Sequence, residues 1–321
     1  MGTRSEINLQ CPDFAKALAE YTGELGFRLD MIFPADNPRH ALLSGHGITI
    51  SLESSGSRES APADSGQVER ILIQHAADAW GEGRAGMQYR DLIPGRLGGR
   101  CIASHIRIPK GGPVADYVHH HHVRFQMIYC RKGWVRVVYE DQGEPFVMHA
   151  GDCVLQPPHI RHQVLESSDG MEVIEIGCPA EHETRVDHEL ALPNPGLNRD
   201  RVFHGQTFIF HQGSTASWTP SPDGAFEMRD TGISAATDQV ASAVVLRPIR
   251  DGEILLRSGS EELFFMFVLS GSMTLQTAGG RERWLAADDC FTVPTGTRCS
   301  LSKPSTDLEL LRVLVAGESP Q

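Results

Sequence analysis

Four consecutive histidines occupy positions 119 to 122, within the stretch YVHHHHVRFQMIYCRKG. Neutral imidazole is the protein ligand that transition metals use most often. Alternate side chains of a β-strand share a face, so a strand can direct the first and third histidines to one point, or the second and fourth. Gln126 has the parity of His120 and His122, which predicts that these three side chains face one way. His119 and His121 would need a bulge before Gln126 to share its face, and they are predicted to face solvent or an interface.

A third imidazole comes from the stretch GDCVLQPPHIRH, residues 151–162. Its two prolines predict a turn just before His162. A ligand set of neutral imidazoles and an amide oxygen would leave a divalent ion its full charge. Such a centre suits iron, zinc, nickel, copper or manganese and favours an anionic ligand. The competing interpretation of the histidine run is an exposed polar loop with incidental affinity for metals.

The stretch HIRIP, which precedes the histidine run, places His105 and Arg107 on one face of a predicted strand. A guanidinium fork binds a carboxylate well, so both side chains are candidates for lining the pocket of an acidic substrate. A solvated sheet face is the alternative interpretation.

The 321-residue chain carries a formal net charge of −12 and shows no basic stripe. Because nucleic-acid affinity rests on cationic contacts to phosphate, this composition argues against a nucleic-acid partner. There is no run of about eighteen apolar residues to predict a membrane span, and the first ten residues lack an apolar signal region. The seven cysteines form no CxxC pair, which is typical of reduced thiols. We therefore expect a cytoplasmic protein that acts on a small molecule.

Composition and strand patterning divide the chain into three units and two linkers. They are a β-α-β-β-β module (1–53), a linker rich in Ser, Gly, Pro and Ala (54–68), a first β-domain (69–190), a second linker (191–201) and a second β-domain (202–317). The stretch GDCVLQPPHIRH aligns without gaps on DDCFTVPTGTRC, residues 288–299, which indicates an internal repeat. The chain is therefore predicted to be mainly β, with two related domains in tandem.

Residues 120–133 and 151–162 resemble the two motifs of the cupin superfamily, G-x5-H-x-H-x3-4-E-x6-G and G-x5-P-x-G-x2-H-x3-N. Gln126 stands where the first motif has glutamate, and His159 stands where the second motif has glycine. The resemblance implies two tandem cupin (double-stranded β-helix) barrels over about residues 69–316. It also implies one divalent metal ion in the first barrel, on His120, His122, Gln126 and His162.

The second barrel departs from the ligand pattern of the family. Alignment on the glycines of the first motif and on the whole second motif places Ser258, Ser260, Phe264 and Cys299 at its ligand positions. A lone cysteine cannot hold a metal ion there, and phenylalanine blocks the fourth position. The second barrel is therefore predicted to be degenerate and to bind no metal.

The β-α-β-β-β order of residues 1–53 resembles one half-module of the vicinal-oxygen-chelate (glyoxalase-like) superfamily. Those enzymes normally build a metal cup from two such modules, and only one is visible here. A lone module has a sheet face or edge that needs a partner. We therefore expect an accessory unit that supports a homodimer.

The predicted function is that of a mononuclear metal-dependent cupin. The layout, with one metal site in the first of two barrels, resembles gentisate-type and quercetinase-type dioxygenases. This resemblance implies a dioxygenase, with iron as the first candidate metal, acting on a small oxygenated or aromatic acid chelated by the ion. A metal-assisted isomerase, lyase or hydrolase and a non-catalytic small-molecule-binding cupin remain as alternatives.

Overall fold

The computed structural model describes residues 6–55, 70–78, 80–82, 86–249, 252–277 and 279–317. The predicted linker over 54–68 lies outside these residues except at its first two positions. The described chain is mainly β, as predicted, and its three helices are short. Within the described ranges no helix is long and apolar enough to cross a membrane.

The N-terminal module has the predicted β-α-β-β-β order. Its elements are β1 (Glu6–Cys11), α1 (Phe14–Ala19) with a π-helical turn (Glu20–Glu24), β2 (Arg28–Phe33), β3 (His40–Gly45) and β4 (Ile48–Ser54). The side chain of Asp13 accepts a hydrogen bond from the backbone N–H of Lys16 and so begins the helix. Phe14 packs against the sheet residues Leu43 and Leu52, which are fully buried. This small apolar layer holds the helix on the sheet.

Two facing sheets build the first β-domain and enclose an apolar interior. The elements between residues 72 and 211 are β5 (Leu72–Gln74), β6 (Gly81–Glu82), β7 (Gln88–Asp91), α2 (Arg96–Gly99), β8 (Ile102–Ile108), β9 (Gly112–Pro113), β10 (His119–His121), β11 (Phe125–Lys132), β12 (Trp134–Tyr139), β13 (Phe146–His149), β14 (Cys153–Leu155), β15 (His162–Ser167), β16 (Met171–Cys178), β17 (Thr184–Val186), β18 (Val202–Phe203), β19 (Gln206–Thr207) and β20 (Ile209–His211). One sheet has the order β17-β10-β15-β12-β13, and the other has the order β20-β14-β11-β16-β8-β7-β6.

The module extends the first sheet of this domain. Strand β2 pairs antiparallel with β17, with Ile32 opposite Thr184 and Met31 opposite Arg185. The resulting sheet runs β1-β4-β3-β2-β17-β10 through both units. The module edge at β2 is thus paired within the same chain, although we expected this unit to supply a dimer contact. The homodimer itself stays a prediction.

The second β-domain also consists of two sheets. Its elements are β21 (Thr219–Pro220), β22 (Phe226–Asp230), α3 (Ile233–Ala236), β23 (Ala241–Pro248), β24 (Ile254–Arg257), β25 (Glu261–Ser270), β26 (Ser272–Thr277), β27 (Glu282–Ala286), β28 (Cys290–Thr292), β29 (Arg298–Ser302) and β30 (Glu309–Ala316). The sheet orders are β21-β22-β23-β30-β25-β28-β5 and β24-β29-β26-β27. Two strands cross the predicted domain division, because β5 pairs with β28 and β20 pairs with β14.

The two β-domains share one apolar core. Along β25, Phe265 and Phe267 face the first domain, whereas Phe264 and Met266 face the interior of the second. The shared core includes Met127 of β11 on the other side, and all of these side chains are at most 5% exposed. Strand β25 therefore buries both of its faces.

Truncation of Phe265 to alanine should loosen both domains. Loss of a buried phenylalanine costs about 3–5 kcal/mol, and here the cavity opens in the shared core. We expect faster amide hydrogen exchange in β11 of the first domain as well as in β25. The matched control is Leu275→Ala, in the second domain's own interior, whose effect should stay within that domain. Unchanged exchange in β11 of Phe265→Ala would contradict a shared core.

Candidate metal centre

Three imidazoles converge in the interior of the first β-domain. They belong to His119, His121 and His162, and one ring nitrogen of each lies within 4.8 Å of the others. The centroid distances are 5.1 Å between rings 119 and 121, 4.3 Å between 119 and 162, and 5.2 Å between 121 and 162. Register places His119 of β10 directly opposite His162 of β15. All three side chains are buried.

This arrangement corrects the predicted register of the histidine run. His120 and His122 were expected to join His162, but His120 faces the other side of β10 and forms a cluster with His122 and His159, which lie outside the strand. Burial lowers the pKa of His120 to about 4 and also lowers the pKa of His122 and His159. These outer imidazoles are therefore neutral at pH 7.

The backbone between β10 and β11 explains why the histidines face other sides than predicted. Strand β10 ends at His121, and β11 begins at Phe125, so residues 122–124 are not in a strand. Side-chain parity therefore does not carry over from the histidine run to Gln126. Gln126 lines the same cavity as His119 and His121, which corresponds to the motif variant with four intervening residues.

Hydrogen bonds to Nδ1 orient the inner imidazoles. Nδ1 of His119 and Nδ1 of His162 each lie near the backbone carbonyl oxygen two residues earlier, at 2.8 and 3.1 Å. A carbonyl can only accept, so each Nδ1 carries the proton and the ring lone pair is on Nε2. Nδ1 of His121 is 2.9 Å from the Thr184 hydroxyl oxygen. The buried Asp116 carboxylate lies 3.6 Å from Nδ1 of His119. Outer partners of this kind fix the orientation of metal-binding histidines and raise their basicity.

A carboxylate that sequence reasoning missed lies beside Gln126. Nε2 of Gln126 donates to Oε1 of Glu175 at 2.8 Å, and both side chains line the cavity. Glu175 shares its strand face with the apolar residues Met171 and Val173, which also line it. An acidic residue in phase with apolar neighbours on β16 is the signal that could have revealed it.

The cavity beside the histidines is mostly apolar and has a volume of about 130 Å³. Its walls come from both sheets and include Ile106, Ile128, Val137, Met148, Val164 and Val173. The lining contains the acidic residues Asp36 and Glu175 but, among the described residues, no lysine or arginine. The prediction of an anionic ligand rested on a neutral ligand set, and this lining does not support it.

The N-terminal module contributes directly to the cavity. Residues 34–36, between β2 and β3, belong to its lining. Asp36 forms an ion pair with Arg96 of the first β-domain, which holds this loop in place. His182 also lines the cavity, with its ring centroid 5.4 Å from that of His121. Burial lowers the pKa of His182. The module is thus part of the site as well as of the sheet.

The predicted pocket residues His105 and Arg107 lie elsewhere. The cavity is lined by their neighbour Ile106, because alternate residues of β8 face opposite ways. His105 is 1% exposed, and its Nε2 lies 2.9 Å from a carboxylate oxygen of Glu172. This hydrogen bond holds the pKa of the Glu172 carboxyl below its usual range. The Arg107 guanidinium lies over the Trp80 ring, 4.1 Å from its centroid.

The four aligned positions of the second domain have different surroundings. Phe264 and Cys299 belong to its apolar core. Ser258 is buried, and its hydroxyl donates to the Glu261 carboxylate at 3.3 Å, whereas Ser260 is exposed. That this domain binds no metal stays a prediction.

Comparison with known proteins relates this architecture to the cupins. A family model described as a cupin domain matches residues 104–177, which include the inner histidines and Gln126. No curated protein sequence matches the chain. The similarity of the N-terminal module to glyoxalase-like proteins is not confirmed by any of these comparisons.

Three solved structures share the fold. Protein Ylba from E. coli superposes with a TM-score of 0.58 at 9% identity, over 79% of this chain and 93% of that chain. A variant of oxalate decarboxylase from Bacillus subtilis gives 0.53 at 14% identity, over 79% of each chain. A variant of salicylate 1,2-dioxygenase from Pseudoaminobacter salicylatoxidans gives 0.52 at 15% identity, over 68% of this chain and 70% of that chain. The chain therefore has the cupin fold, with a cupin domain matched in its first β-domain.

Proposed function

We propose that the first β-domain holds one divalent metal ion on His119, His121 and His162 and uses it in a dioxygenase reaction on a small molecule. The observation that carries the proposal is the convergence of three oriented imidazoles at an apolar cavity. Among proteins of similar fold, one is named a salicylate 1,2-dioxygenase, and another is an oxalate decarboxylase described with Mn(II) centres. Iron and manganese are therefore the first metals to test.

The cavity limits the substrate to a compound of about one ring. An apolar cavity of about 150 Å³ holds one benzene molecule, and this cavity measures about 130 Å³. The apolar walls favour a substrate with an aromatic or branched hydrocarbon part. A metal ion on the histidines at one end of the cavity favours a substrate with two adjacent oxygen atoms. Catechols, aromatic hydroxy-acids and diketones combine these features. In a dioxygenation that cleaves a carbon–carbon bond, both oxygen atoms enter the product and the substrate supplies all the electrons, so no external reductant is needed.

Glu175 and Gln126 would handle the proton of such a substrate. A bound metal ion supplies a Lewis acid and open positions for oxygen ligands. Glu175 lies at the cavity wall, where its carboxylate can accept a proton from a hydroxyl or enol group of the substrate. Gln126 donates to this carboxylate and holds it in place. The apolar walls keep water away from the bound molecule, which favours reaction with dioxygen over hydrolysis.

Substitution within the histidine run separates the two possible ligand sets. We expect His121→Ala to abolish substrate-dependent oxygen uptake, because it removes an inner imidazole, while the adjacent His120→Ala keeps it. Uptake is measured with an oxygen electrode on metal-loaded protein that carries no affinity tag. Loss of uptake in His120→Ala with retention in His121→Ala would contradict the inner assignment.

Glu175→Gln keeps the size of the side chain and removes the base. We expect kcat to fall by about 10²–10⁴-fold, as for loss of a general base, with the inner metal retained. A variant with full kcat would show that Glu175 only supports Gln126.

Gln126→Glu adds a negative charge beside the imidazoles. We expect anionic chelators to bind at least tenfold more weakly, since like charges repel strongly in a site shielded from water. Neutral diketones should lose much less affinity, and they serve as the matched control in a calorimetric titration. Equal losses for both classes would indicate a steric effect instead.

Oxygen dependence separates the three candidate functions. Stoichiometric oxygen uptake across a panel of catechols, hydroxy-acids and diketones supports the dioxygenase. Turnover under argon would favour a Lewis-acid isomerase, lyase or hydrolase. Tight binding without turnover across the panel would favour a binding protein.

A further inference from the structure

We propose a second metal site on the outer face of β10, formed by His120, His122 and His159. One ring nitrogen of each lies within 4.8 Å of the others. The ring centroids are 5.5 Å apart for 120 and 122, 5.6 Å for 120 and 159, and 4.4 Å for 122 and 159. Side chains alternate along β10, so His120 lies on the other face of the strand from the inner imidazoles of His119 and His121.

An unsatisfied nitrogen points to a missing ligand at this site. Nδ1 of His120 is buried and has no hydrogen-bond partner among the described residues. Buried polar atoms without a partner are rare, and each one calls for an explanation such as an ion. A metal ion bound at this cluster would give that nitrogen a partner.

The backbone conformation of His159 is a second, independent observation. Its φ is 64°, in the left-handed region that favours glycine, and the cupin motif has glycine at this position. Its backbone N–H donates to the carbonyl oxygen of His121 at 3.1 Å, which ties the turn to the end of β10. The chain therefore keeps an imidazole where glycine would be less strained. Strain of this kind is typically retained at functional sites.

Two neighbours complete the surroundings of the cluster. His204 also has a positive φ, 48°, and its ring centroid lies 4.5 Å from that of His159. Its exposed ring therefore lies beside the cluster and is the candidate for a fourth ligand. A carboxylate oxygen of Glu183 lies 3.3 Å from Nδ1 of His122 and can accept a hydrogen bond from it, which leaves the Nε2 lone pair of His122 for the metal.

The donor set selects a borderline metal ion. Three imidazoles with a fourth open position suit Zn²⁺, Cu²⁺ or Ni²⁺ better than hard cations such as Mg²⁺ or Ca²⁺. Tetrahedral ligands at about 2.0–2.1 Å from zinc lie about 3.4 Å from one another, so modest ring rotations would close the site. The ion would connect β10 to the turn at His159 and, through Glu183, to the segment just before β17. We assign it a stabilising role for the strand that carries the inner ligands.

Zinc stoichiometry of the full-length, metal-free, untagged protein tests the proposal. After loading with Zn²⁺ and removal of free ion by desalting, we expect two equivalents per chain. His159→Gly should retain one equivalent, and His162→Ala should also retain one, from the other site. His159→Gly is expected to fold, because glycine readily adopts φ near +64°; circular dichroism of the metal-free variant checks this. The exposed His188 provides the control His188→Ala, which should retain two.

Thermal unfolding gives a second readout that does not depend on activity. Zinc should raise the Tm of His162→Ala through the outer site, and this rise should be absent in the His159→Gly, His162→Ala double variant. One equivalent in the unchanged protein, with no loss in His159→Gly, would overturn the proposal. A further outcome is that the unchanged protein shows no oxygen uptake with any substrate while His159→Gly still binds one zinc equivalent fewer. That result would refute the proposed reaction and leave the outer site supported.

Discussion

The alternation of side chains along β10 is the constraint on which the candidate centre depends. Successive residues of a strand face opposite sides, so a run of identical residues is divided between two environments. In this chain His119 and His121 face the cavity, and His120 faces outward. The pairing of His119 with His162 across β10 and β15 adds the third inner imidazole. A shift of one residue in this register would exchange the inner and outer sets.

The rest of the fold holds that register in place. Strand β10 lies between β15 and β17, and β17 in turn carries the N-terminal module. The central strands of the opposite sheet, β14, β11, β16 and β8, pack with one face into the core shared with the second domain. The second domain can therefore matter for the site without touching it. The module matters more directly, since residues 34–36 form part of the cavity wall.

Much of the architecture could be predicted from the sequence. The β-α-β-β-β order, the tandem β-domains and the cavity position of Gln126 follow from local patterns, and the structure contains them. The sequence did not reveal which histidines share a face with Gln126, because residues 122–124 leave the strand and no local signal marks that break. The pairing of β2 with β17 and of β5 with β28 also lay beyond prediction. Contacts between segments so distant in the chain depend on tertiary packing rather than on local propensity.

The charge of the site could also be predicted only in part. Sequence motifs led to a neutral ligand set and from it to an anionic substrate. The structure adds Glu175 from a strand outside either motif, and its carboxylate lies against Gln126. An acidic residue in a mainly apolar strand is easily interpreted as a surface position until the neighbouring strand is known.

Anomalous diffraction from crystals of the metal-loaded protein tests the central claim most directly. Data collected on both sides of the absorption edge of the bound metal locate the ion without reference to activity. The account predicts a peak inside the first β-domain, within about 2.0–2.3 Å of Nε2 of His119, His121 and His162. Metal found only at His120 and His122, with no peak among the inner imidazoles, would contradict it.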